Sequence, residues 1–150
     1  MSDEMIAYSA AGHPGKHRER VSLPALFFGL FVAPIVWAGN LMLTYALATH
    51  ACYPGRAALP QVIDGFGFAW PLILAAYLLT LALCAAGFVA SLRNWRITGQ
   101  ESEGHHHQLI DVGEGRTRYL SIIGMAFSVL FFTVTVAGAV ILAIVPLCER

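Results

Sequence analysis

Between Val21 and Gly55, between Gly65 and Leu92, and again between Tyr119 and Cys148, the chain carries no Asp, Glu, Lys or Arg. A helix needs about 20 apolar residues to cross the hydrocarbon layer, so each run is long enough for one span. The predicted fold is an all-α membrane protein with three transmembrane helices. A soluble bundle would need a charged outer face on every helix, and these helices have none. With 57% hydrophobic and 12% charged residues, the chain cannot cover an apolar core with an ordinary water-facing surface. Nine basic and nine acidic residues cancel. No overall field would gather nucleic acid, which is excluded as a partner; lipid is the expected surrounding.

The few charges orient the spans. Lys16, Arg18 and Arg20 precede the first, Arg93 and Arg96 follow the second, and Arg116 and Arg118 precede the third, while only Arg56 and Arg150 lie opposite. The positive-inside rule then puts the N-terminus in the cytoplasm and the C-terminus outside, in the periplasm of a bacterial cell. Residues 1–21 read as a flexible cytoplasmic tail and 22–150 as the membrane domain. Within it the spans cover about 23–50, 67–92 and 119–146, with a cytoplasmic loop over 93–118. Ser22 and Pro24 suit a helix start, and Pro34 predicts a bend inside the first span. Tyr45, His50 and Tyr53 approach the outer interface, and Trp95 sits among headgroups with Arg93 and Arg96. Pro54-Gly55 and Asp64-Gly65 mark turns around a short outer loop in which Leu59 and Ile63 lie along the interface.

Polar residues inside the spans mark the faces that need partners. Trp37, Asn40 and Thr44 recur at helical spacing, extended by Ala33 and Ala48, and an amide such as that of Asn40 is costly against lipid. Tyr77, Thr80 and Cys84 share a face of the second span and form its natural complement through an interhelix hydrogen bond. In the third span Gly124, Ser128, Phe131, Thr135 and Gly138 alternate at offsets of four and three. Such a small-to-polar stripe allows close helix approach, whether within the chain or to another protein.

Cys52 and Cys148 follow the first and third spans and so share the outer, oxidising side, where a disulfide between them competes with separate thiols. Cys84 reads as an unpaired core residue. His105, His106 and His107, with Glu101, Glu103 or Asp111, form the one candidate metal cluster, but adjacent histidines on a polar loop make no rigid coordination shell. Catalytic signals are missing: no carboxylate falls in a span, no nucleophile has a buried base, and no nucleotide loop is evident. The chain is not expected to be an enzyme by itself.

The set Pro34, Trp37, Asn40, Tyr45, His50, Cys52 and Pro54, followed by Arg116 and a third span ending in Pro146 and Cys148, resembles small bacterial membrane proteins associated with haem-copper terminal oxidases. The resemblance implies an accessory or stabilising subunit of a larger respiratory complex in the inner membrane. Haem and copper would be held by the partner subunits, since this chain has no histidine in its second or third span and binds no cofactor alone. Two other roles fit the same spans: a small oligomeric transporter or channel component, and a transient membrane assembly factor. The topology predicts that alkaline washing leaves the protein in the membrane. Labelling should also place Cys52 and the 93–118 loop in different compartments; finding both in one would contradict it.

Overall fold

Three α-helices make up the computed structural model, which describes residues 22–53, 55, 61–98, 114–145 and 147–148. They are α1 (Leu23–Cys52), α2 (Ala69–Thr98) and α3 (Glu114–Ile144), each packed against the other two. α1 and α3 run parallel, as the Gly29–Gly124 and Cys52–Cys148 contacts require, and α2 runs antiparallel to both. Each contains an 18-residue window with mean hydropathy of 2.0, 2.4 or 2.5 in chain order. The large apolar side chains point out of the bundle: Met42 is 74% exposed, Leu79 and Ile141 61% each. In water this belt would be an aggregation surface, whereas lipid tails solvate it. The protein is a multi-pass membrane protein.

The helices outrun the spans read from charge. α2 continues past Leu92 to Thr98, and α3 starts at Glu114 rather than near 119, so the cytoplasmic connection shrinks to residues 99–113. The hydrocarbon is about 30 Å thick, whereas a helix of 30 residues reaches about 45 Å and so also enters the headgroup layers, where charges are solvated. Arg93, Arg96 and Arg118 lie on these extensions, and the Arg118 guanidinium sits 5.8 Å from the centre of the Trp95 ring.

Local chemistry sets the other ends. Ser22 is extended and its carbonyl accepts the Leu26 N–H at 3.2 Å, but its hydroxyl makes no capping bond. One of the two amides an N-cap side chain normally reaches belongs here to Pro24, which has none. Pro34 is carried within the continuous α1. In the outer connection the Ile63 N–H donates to the Ala51 carbonyl (3.2 Å), Phe66 to Ile63 (3.0 Å) and Ala69 to Phe66 (2.8 Å). Gly65 takes φ +95°, the left-handed conformation that the Asp64-Gly65 turn requires. Because this turn holds the chain through Phe66, α2 begins at Ala69 and not at 67.

Cys52 and Cys148 form a disulfide, with S–S 2.03 Å and Cα atoms 5.3 Å apart. It closes the outer end of α1 onto the end of α3, over a small cluster of Ala51 and Ala69 flanked by Val62, Phe66 and Leu147. The Cys52 sulfur lies 3.1 Å from the Leu147 carbonyl oxygen, a contact without a proton to share. Bridge and arginines occupy opposite ends of the bundle. A disulfide needs an oxidising compartment and the arginines favour the cytoplasm, so two separate arguments give one orientation. The tail 1–21, Leu59, Pro54, Pro146, Arg56, Arg150 and the run His105, His106, His107 with Glu101, Glu103 and Asp111 lie outside the described residues.

Nonreducing peptide mapping should recover a Cys52–Cys148 peptide that dithiothreitol abolishes. Cys52→Ala should lower stability by about 2 kcal/mol or less, toward the low side for a bridge, because lipid already restricts the unbridged chain. A fall in the thermal midpoint on reduction, absent from the Cys52→Ala variant, checks both.

Candidate functional site

The buried line of α2 is Tyr77, Thr80, Cys84, Gly87, Ser91, Asn94 and Thr98, spaced alternately by three and four. That is the seam of a left-handed bundle, yet the positions a soluble coiled coil fills with Leu and Ile hold small or polar groups. α3 answers with buried Ser121, Gly124, Ser128 and Thr135, and α1 with Gly29, Ala33 and Asn40. Lipid is as apolar as leucine, so helices in it gain little by burying leucine against one another; close backbone approach and dispersion contacts hold them instead.

The tightest point is a three-helix crossing at Gly29, Ser91 and Gly124. A Cβ added at Gly29 would fall 2.5 Å from the Ser91 Oγ, and one at Gly124 would fall 2.5 Å from the same atom and 2.9 Å from the Gly29 carbonyl oxygen. One turn on, a Cβ at Gly87 would meet Val32 at 2.6 Å and the Ser128 Oγ at 3.2 Å. Toward the outer end Gly138 gives room to the Tyr77 ring, whose hydroxyl would lie 3.0 Å from an added Cβ. Between these points the Trp37 and Phe131 rings meet at 5.1 Å, tilted by 45°, with Phe127 edge-on to Phe131 at 6.2 Å.

Most of the residues singled out from sequence are therefore gathered in one interior. Asn40, Tyr77, Thr80, Gly124, Ser128 and Thr135 are buried, and Trp37, Thr44 and Gly138 half-buried. The buried ones pack against the chain's own helices. Sequence reading missed Gly29, Gly87, Ser91, Asn94 and Ser121 as seam residues. The signal was present, since the three-four spacing of Tyr77, Thr80 and Cys84 continues unbroken to Thr98.

The hydrogen bonds differ from expectation. Thr80 donates to the carbonyl of Ala76 in its own helix (2.8 Å), Thr135 to Phe131 (2.6 Å) and Ser121 to Thr117 (2.9 Å). A threonine hydroxyl in a helix finds its nearest acceptor one turn back, and that bond forms before any interhelix one. Among the described residues four buried polar atoms have no partner: Asn40 Oδ1, Thr44 Oγ1, Asn94 Nδ2 and Ser128 Oγ. Cys84 is free and buried. Among the described residues no three of His, Cys, Asp and Glu gather closely enough to hold a metal ion, and His50 is exposed at the end of α1. What the seam supplies is packing and neutral hydrogen-bonding groups. The chain matches no family model, no curated protein and no solved structure.

Gly29→Ala and Gly124→Ala should each destabilise the bundle by about 1–3 kcal/mol through overpacking. Gly39→Ala, where an added Cβ meets nothing within 4 Å, should not destabilise the isolated bundle and should gain up to about 1 kcal/mol from helix propensity. Ser91→Ala should rescue Gly29→Ala, whose clash is with the serine oxygen. It should rescue Gly124→Ala only in part, because the Gly29 backbone remains in the way. Thermal midpoints of the four single and two double variants measure this.

Proposed function

We propose that the protein is a non-catalytic accessory subunit that stabilises a larger respiratory complex of the bacterial inner membrane, of the haem-copper terminal-oxidase kind. Haem and copper belong to the partner subunits in this reading. The supporting observation is what the bundle leaves outside. Its own seam is closed, yet the outer face of α1 carries exposed Ala38, Gly39, Met42 and Ala46, and nothing lies within 4 Å of where a Gly39 Cβ would be. A glycine inside a helix costs about 1 kcal/mol against alanine. One that serves no contact within its own chain suits the close approach of a foreign helix. A rigid bundle with a bridged outer end and a small-residue outer face has the character of a fixed buttress.

The close contact of Gly29, Ser91 and Gly124 also weighs against a transport path down the axis of a single copy, so a channel reading needs several copies. Purification in mild detergent, with partner mass spectrometry and a visible spectrum, tests the proposal. Stoichiometric oxidase subunits with haem bands are expected, and Gly39→Leu should release them while leaving insertion and the disulfide intact. A cofactor-free homo-oligomer would instead indicate a transporter or channel component. Substoichiometric recovery confined to biogenesis would indicate an assembly factor.

A further inference from the structure

The crossing at Gly29, Ser91 and Gly124 fixes the register of all three helices, and it can be followed outward. Eleven residues, or three turns, along each helix from that crossing lie Asn40, Thr80 and Thr135. The Trp37–Phe131 contact just below and the Tyr77–Gly138 contact just above confirm the same register. Asn40, Thr80 and Thr135 therefore share one level near the middle of the spans, and their exposures are 5%, 3% and 1%.

The oxygen acceptors of this level are short of donors, since the Asn40 N–H groups cannot reach the amide's own Oδ1. Thr80 and Thr135 spend their hydroxyl protons on Ala76 and Phe131, so their oxygens retain only lone pairs. Asn40 Oδ1 has no donor at all. One turn along α1, Thr44 is also unpartnered, although Thr49, Thr80, Thr98, Thr133 and Thr135 all donate to a carbonyl one turn back. Its hydroxyl has forgone that local bond and lies on the same face as the Asn40 amide.

We infer that Asn40 and Thr44, with Thr80 and Thr135, form a binding site for one ordered water molecule inside the membrane domain. Water supplies what the layer lacks: it donates one proton to Asn40 Oδ1 and the other to a threonine lone pair, and accepts the Thr44 hydroxyl. That gives three hydrogen bonds, the usual number for a buried water. A metal cation would meet only neutral oxygens, since no Asp or Glu falls within the three uncharged runs, and its charge would go uncompensated. The water joins three helices whose threonines form no direct interhelix bond. The site is independent of any partner subunit.

The test is water-to-protein magnetisation transfer by NMR on the full isotope-labelled chain in nanodiscs with deuterated acyl chains. Wild type should show a cross-peak between water and the Asn40 side-chain amide. Thr44→Val should lose that cross-peak, and Thr44→Ser, which keeps the hydroxyl, should retain it. An intact Cys52–Cys148 bridge and an unchanged Trp37 indole signal report that each variant is folded. A visible Asn40 amide without a water cross-peak in wild type overturns the site. So does a cross-peak that survives Thr44→Val.

Discussion

Three backbones meet where Gly29, Ser91 and Gly124 cross, and the rest of the molecule is laid out from that meeting. In lipid no solvent pushes apolar side chains together, so attraction between helices depends on how many atoms come within van der Waals distance. Only residues with little or no side chain let the backbones approach this far; even one methyl group at Gly29 or Gly124 would overlap the Ser91 oxygen. Once the crossing is set, register follows without further choice. Gly87 falls against Val32 and Ser128, Trp37 against Phe131, Tyr77 against Gly138, and Cys52 comes within bonding distance of Cys148.

The same constraint explains why the polar groups point inward. A serine or threonine is small enough for a tight seam and satisfies its hydroxyl on its own helix, as Thr80, Thr98, Ser121 and Thr135 do. It then acts as a slightly larger alanine with lone pairs on one side. The bulky residues that would fill a soluble core, such as Leu79, Val89, Val140 and Ile141, are displaced to the lipid face, where they match the tails. Asn40 breaks the economy of this scheme. Its amide has two donors and an acceptor to place, and the acceptor, Oδ1, finds no donor among the described residues.

How much of this the sequence carried depends on which solvent wrote the signal. The spans were legible because lipid excludes charge along the whole hydrocarbon depth; the shared oxidising side of Cys52 and Cys148 was legible too, but the choice between a bridge and separate thiols came from the structure. The stripe Gly124, Ser128, Thr135, Gly138 was legible as a close-approach face. Its addressee was not, because a seam toward one's own helix and a seam toward a stranger have one composition. The ends of α2 and α3 were missed for a different reason: past Leu92 the chain leaves hydrocarbon and regains charges while its backbone hydrogen bonds run on to Thr98. Stopping at Leu92 also hid Asn94 and Thr98. Nothing in composition separates a threonine that back-bonds from one that does not, so the odd behaviour of Thr44 became visible only with coordinates.

The bundle is closed by different means at its two ends, and this bears on how it meets its neighbours. At the outer end a covalent bridge and the cluster of Ala51, Ala69, Val62, Phe66 and Leu147 tie α1 to α3 directly. At the cytoplasmic end α2 and α3 extend beyond the hydrocarbon, and Arg118 rests on Trp95 across them. α1, which starts at Leu23 and has an unused cap, is bound there mainly through Gly29 and Ala33. It is tied covalently to the α3 end outside and has no side-chain cap bond at Ser22 inside. It also bears the exposed small-residue face around Gly39. A partner helix docking on that face would press α1 onto the Gly29 crossing from behind, so that association and internal packing would reinforce each other.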